Sequence, residues 1–101
     1  MEIVWTNLAK ITYFEVIENL NTYWSKKETN HFIKLTNKSL TNIETGKIKH
    51  RIVLYHTIRK CVIHKNVSLF YKEDYKNNKI ILITFFNNRM NPKSLSKLLK
   101  E

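Results

Sequence analysis

Apolar positions along the chain change their period once, at Gly46. Before it they fall at helical spacing. After it they alternate or run together as strands do. A short apolar run, Ile3-Val4-Trp5, ends at Thr6-Asn7, which suits a strand followed by a helix N-cap. From Leu8 to Trp24 the residues Tyr13, Ile17, Leu20 and Trp24 form one stripe, flanked by Ala9, Val16 and Tyr23, and predict an amphipathic helix. Ser25-Lys26-Lys27-Glu28 has the form of a capping box: Ser25 accepts from the Glu28 amide while the Glu28 carboxylate returns to the Ser25 amide. A second helix therefore starts at Lys26. Its apolar face is Phe32, Ile33, Thr36, Leu40 and Ile43, and Gly46 is placed to end it as the C′ residue. With almost no linker between them, the two helices form an antiparallel hairpin.

Three β-branched or aromatic runs follow, Ile58 to His64, Val67 to Lys72 and Lys79 to Phe86, separated by turn-like segments at Lys65-Asn66 and Glu73 to Asn78. They predict a three-stranded meander. Ile80-Ile81-Leu82-Ile83 is apolar on both faces, as expected of a central strand. Ile48 to His56 fits either an edge strand or a loop. Asn91-Pro92 supplies an N-cap and first-turn proline for a short last helix buried through Leu95, Leu98 and Leu99. Trp5, Trp24, Tyr13, Phe32 and Phe70 are spaced as core, Tyr71 as a buried ring with a bonded hydroxyl, and Cys61 as a buried thiol.

Length and composition narrow the class. A chain of 101 residues is the size of one compact domain, residues 1–101. The single cysteine forms no internal disulfide, and no leader or apolar run of membrane-spanning length is seen, so a soluble cytoplasmic protein is expected. One glycine leaves no phosphate-cradling loop. No His/Cys/Asp/Glu spacing resembles a metal site and no Ser-His-Asp arrangement can be argued, so no metal and no cofactor are expected.

Charge adds the functional signal. The net charge of +10 arises entirely after residue 45, where 13 basic side chains face only Glu73, Asp74 and Glu101. A lysine excess that serves solubility would spread along the chain. This one is confined to the half that reads as sheet, and it predicts a polyanion or an acidic protein as partner. Strand alternation sets Arg59 and Lys60 on opposite faces, so one of them looks away from the helices. Arg59, Lys60, Lys65, Lys72 and Arg89 are the candidate cations for target or nucleic-acid binding.

Trp24-Ser25 with Glu28, Ile58-Arg59-Lys60, Ser68-Leu69-Phe70-Tyr71 and Ile83-Thr84-Phe85-Phe86-Asn87-Asn88-Arg89-Met90-Asn91-Pro92, in this order, resemble the RelE/ParE superfamily of type II toxin–antitoxin toxins. The last segment is similar to members known as plasmid stabilization system proteins. The resemblance implies an α+β fold of order β-α-α-β-β-β(-α), in which the antiparallel helix hairpin packs on a mostly antiparallel four-stranded sheet with a basic concave face covered by a small acidic antitoxin. Two activities go with it. ParE-like members inhibit growth by poisoning DNA gyrase. RelE-like members cut mRNA on the ribosome without a metal. For the nuclease activity the candidates are Arg59, His64, Tyr71 and Arg89, with Arg59 and Arg89 suited to a phosphate by their planar forks. Two positions depart from the nuclease pattern: Ser68 stands where an arginine is usual and Asn87 where a catalytic histidine is often found. Neither stabilises charge nor exchanges a proton near neutral pH, so the ParE-like reading comes first and the nuclease second. A non-toxic nucleic-acid-binding module is the third.

Overall fold

The computed structural model describes residues 1–87. Its elements are β1 (Glu2–Trp5), α1 (Asn7–Tyr23), α2 (Lys26–Glu44), β2 (Ile52–Leu54), β3 (Ile58–His64), β4 (Val67–Asp74) and β5 (Lys79–Asn87). The sheet order is β1-β5-β4-β3-β2. Only β1 and β5 run parallel; the other neighbours are antiparallel. The architecture is thus the expected α+β hairpin-on-sheet, with a fifth strand, because Ile52–Leu54 of the ambiguous 48–56 segment pairs with β3 as a short edge. The expected last helix, with Arg89, lies outside the described residues.

Both helix starts form as their sequences dictate. Thr6 caps α1, its hydroxyl accepting from the Ala9 amide at 3.0 Å. Ser25 caps α2 by accepting from the Glu28 amide at 3.3 Å. The return half of the expected capping box differs, because the Glu28 Oε2 points to His64 instead. The helices are joined through Trp24 and Ser25 alone. They pack antiparallel, as seen where Tyr13 meets Phe32 at 5.6 Å and the Thr29 hydroxyl donates to Asn21 Oδ1 at 2.7 Å. Gly46 at φ +73° carries the chain out of α2.

The core lies between this hairpin and one sheet face. Ala9, Phe32, Leu69 and Leu82 are wholly buried there, with Cys61, Tyr71, Ile80 and Phe85 beside them. Trp5, Tyr13, Phe32 and Phe85 form an aromatic cluster within it, Trp5 stacked on Phe85 and edge-on to Tyr13, and Phe32 edge-on to Phe85. Trp24 departs from expectation: it is 54% exposed. The stripe that would bury it stops one residue early, because Trp24 is the C-cap, its backbone has left helical dihedrals, and the side chain swings outward.

The β2–β3 hairpin carries a conformational strain that no Gly or Asn announces. Tyr55 and His56 sit at φ +52° and +59°, and the Thr57 amide closes the turn on the Leu54 carbonyl at 3.2 Å. Two successive left-handed residues define the turn that favours Asn-Gly. Residues with a Cβ resist this conformation. Replacing Tyr55-His56 by Asn-Gly is therefore expected to stabilise the protein by about 1 kcal/mol, after the extra unfolded-state entropy of glycine is offset. A urea titration should show a raised midpoint at unchanged slope.

Candidate functional site

Alternation along β3 and β4 divides the expected site residues between two faces. Arg59, Cys61, Leu69 and Tyr71 turn toward the helix hairpin, and Ile58, Lys60, Phe70 and Lys72 turn away. The second face has an apolar floor of Ile58, Phe70 and Phe86, against which Leu54 and Ile83 pack. Lys60 stands directly opposite Phe70, and Lys72 opposite Ile58, so both lysines share the face that carries this floor. Lys72 is exposed, as is Lys65 in the tight turn between β3 and β4. Ser68, on the same face between Val62 and Phe86, is fully buried.

Arg59, expected to meet the target, is built into a network of its own chain. Its Nε donates to Glu73 Oε1 at 2.6 Å, and its Nη1 donates to the His50 carbonyl at 2.5 Å. The two side chains of the ion pair are only 13% and 16% exposed. His50 Nδ1 in turn meets the Tyr71 hydroxyl at 2.7 Å. The chain Glu73–Arg59–His50–Tyr71 therefore pins the segment before β2 onto the sheet. Burial tends to raise the Glu73 carboxyl, but hydrogen bonds from Arg59 and Tyr75 and the charges of Arg59 and Lys49 outweigh it and hold the group below the ordinary value of 4.5. Burial, and then the Arg59 charge, lower the His50 imidazole below 6.5, so the neutral ring is favoured. Burial pushes the Tyr71 hydroxyl up to about 12, well above the range of an acid catalyst at neutral pH. Burial likewise raises the Cys61 thiol, a Ser39 hydrogen bond acting the other way.

His64 belongs to a separate cluster. A register shift between Val62 and His64 ends β3 and turns the imidazole toward α2, where Nε2 lies 3.2 Å from Glu28 Oε2. His31, one turn further along α2, meets the same ring with centroids 6.1 Å apart. Glu28, His31 and His64 thus converge, a grouping not evident from the histidine spacing. The available signal was Glu28-x-x-His31, which places a carboxylate and an imidazole on one helix face. His64 also lines a cleft of about 360 Å³ with Leu8, Thr12, Leu20, Trp24 and Phe85.

No family model matches the sequence, and no curated protein matches it. Solved structures do share its fold. A protein of the chromosomal ParDE toxin–antitoxin system of P. aeruginosa superposes with a TM-score of 0.70 at 9% identity, covering 86% of this chain and 95% of that one. A copper-bound mutant toxin from Helicobacter pylori superposes with a TM-score of 0.64 at 12% identity, covering 86% and 93%. The chain has the fold of RelE/ParE-type toxins. No helix among the described residues is long and apolar enough to cross a membrane.

The Arg59 network makes two expectations concrete. Arg59→Ala strands the Glu73 carboxylate in a largely dry setting and should cost about 2 kcal/mol of stability, read as a lowered urea midpoint. The pH dependence has a definite sign. His50 and Glu73 both have folded values below their unfolded ones, so each favours the folded state above its unfolded value and loses that contribution as pH falls through the folded one. Stability should therefore decline in two stages, first below about 6.5 and again below about 4.5. His50→Gln should abolish the first stage and leave the second, as measured by thermal melts from neutral to acid pH.

Proposed function

We propose that the protein is the toxin of a type II toxin–antitoxin system, ParE-like in action, which inhibits DNA gyrase by binding it and is silenced by an acidic cognate antitoxin. The fold supports the toxin class, and the ParDE system of the P. aeruginosa structure supports an antitoxin partner. The observation that carries the choice of binding over cutting is the commitment elsewhere of the candidate nuclease groups among the described residues. Arg59 is paired to Glu73, Tyr71 is buried on the helix side, and His64 faces Glu28. RNA cleavage needs a proton-transfer group of suitable pKa within reach of the 2′-hydroxyl and cations on the scissile phosphate. Binding needs only a complementary surface. Lys60, Lys65 and Lys72 supply one, which with the overall charge suits an acidic counterpart. Arg89 extends the same cationic set in sequence. Such a toxin acts in the cytoplasm, where its lone thiol stays reduced.

Induction of the protein in cells tests the reading. Filamentation with a DNA-damage response, altered plasmid supercoiling and intact mRNA is the expected result. Codon-positioned mRNA cuts would establish the RelE-like activity instead, and growth without any defect would leave a nucleic-acid-binding module. The double variant Lys60→Ala/Lys72→Ala should weaken growth inhibition while shifting stability by no more than about 0.5 kcal/mol per site, as for surface substitutions. Colony recovery and a thermal melt measure the two effects separately.

A further inference from the structure

We propose that Glu28, His31 and His64 form a binding site for a divalent transition metal of the Zn²⁺ class. One carboxylate oxygen and one ring nitrogen from each histidine lie within 4.8 Å of one another. A tetrahedral ion with bonds of about 2.1 Å holds its ligands roughly 3.4 Å apart, so no pair of the three groups needs to close by more than about 1.4 Å. Glu28 and His64 already have the required spacing, at 3.2 Å. His31 is on the exposed side of α2, where its side chain can rotate inward without disturbing the core.

The chemistry of the set is selective. Two imidazoles and one carboxylate suit Zn²⁺, Co²⁺, Ni²⁺ or Cu²⁺, whereas the hard ions Mg²⁺ and Ca²⁺ prefer oxygen alone. The backbone holds the ligands independently: Glu28 and His31 are spaced three residues apart on a regular helix capped by Ser25, and His64 is fixed by the end of β3. An ion there would replace a charge-assisted contact between Glu28 and His64 with two coordinate bonds. It would also tie α2 to the end of β3, and hence to one wall of the cleft that His64 lines. Three protein ligands leave a fourth position for water. None of this depends on the toxin reading.

Calorimetric titration of the full chain with Zn²⁺ in a non-chelating buffer is the direct measurement. One equivalent should bind and raise the melting temperature, because an ion that binds only the folded state stabilises it. Co²⁺ in its place should give visible absorption of tetrahedral type. His31→Ala, at an exposed position, should keep the melting temperature of the metal-free protein while weakening Zn²⁺ at least about tenfold and abolishing the Co²⁺ spectrum. Glu28→Gln should weaken binding similarly, and His56→Gly, in the remote β2–β3 turn, should leave it unchanged. Absence of stoichiometric binding, binding indifferent to both His31→Ala and Glu28→Gln, or an equal loss in His56→Gly would each overturn the assignment.

Discussion

The strand β5 must be satisfied on four sides, and the rest of the molecule is arranged around that requirement. β4 takes one edge in antiparallel register from Val67 to Asp74, and β1 takes the other in parallel register, but only along Lys79 to Leu82. Past Leu82 the β1 edge needs other partners. Helix α1 supplies them through threonines: the Thr6 hydroxyl donates to the Leu82 carbonyl at 2.8 Å, and the Thr12 hydroxyl accepts from the Phe85 amide at 2.9 Å. A buried peptide group left without a partner costs about 1–3 kcal/mol. Two hydroxyls thus fix the helix to the strand more than seventy residues away. Because β1 and the start of α1 are anchored on β5, these parts gain their stability together.

The same constraint separates what was legible in the chain from what was not. The two-faced apolarity of Ile80 to Ile83 identified β5 as interior, and the cap residues Thr6, Ser25 and Gly46 marked their helix ends because each acts through local backbone chemistry. Ile52–Leu54 was ambiguous for a physical reason. It is three residues at an edge, with Ile52 and Val53 exposed, so no alternation could emerge, and its turn uses Tyr-His where Asn-Gly would have signalled a hairpin. Trp24 misled because a periodic stripe carries no information about where the helix stops.

Charged positions were harder still, because pairing is a tertiary property. Sequence alternation correctly sent Arg59 and Lys60 to opposite faces, and the structure decides which is which: Lys60 looks away from the helices, while Arg59 is drawn to Glu73. A guanidinium beside the hairpin would have been costly to bury alone, so the strand keeps it only because a carboxylate two positions along from its cross-strand partner can reach it. The Glu28 carboxylate was read through a helix-local capping role and serves a longer-range contact with His64 instead. Helix-local rules cannot detect a partner that arrives from β3.

Ion pairing within the fold leaves the charge asymmetry of the sheet half largely intact. Glu73 faces Arg59, Glu28 faces His64, and Glu2 lies 3.9 Å from Lys79. Two of these three carboxylates come from the charge-balanced half of the chain, so folding does lend acidity to the sheet, but only at the helix side and the β1 edge. Among the described residues Lys60, Lys65 and Lys72 enter no ion pair. Screening at physiological salt acts over about 8–10 Å; Lys60 and Lys72, diagonal neighbours on the β3–β4 ladder, fall within that range and act together, whereas Lys65 stands apart in the turn at the other end of the hairpin. A negatively charged group brought beside this pair would recover Coulomb energy that the fold itself leaves unused.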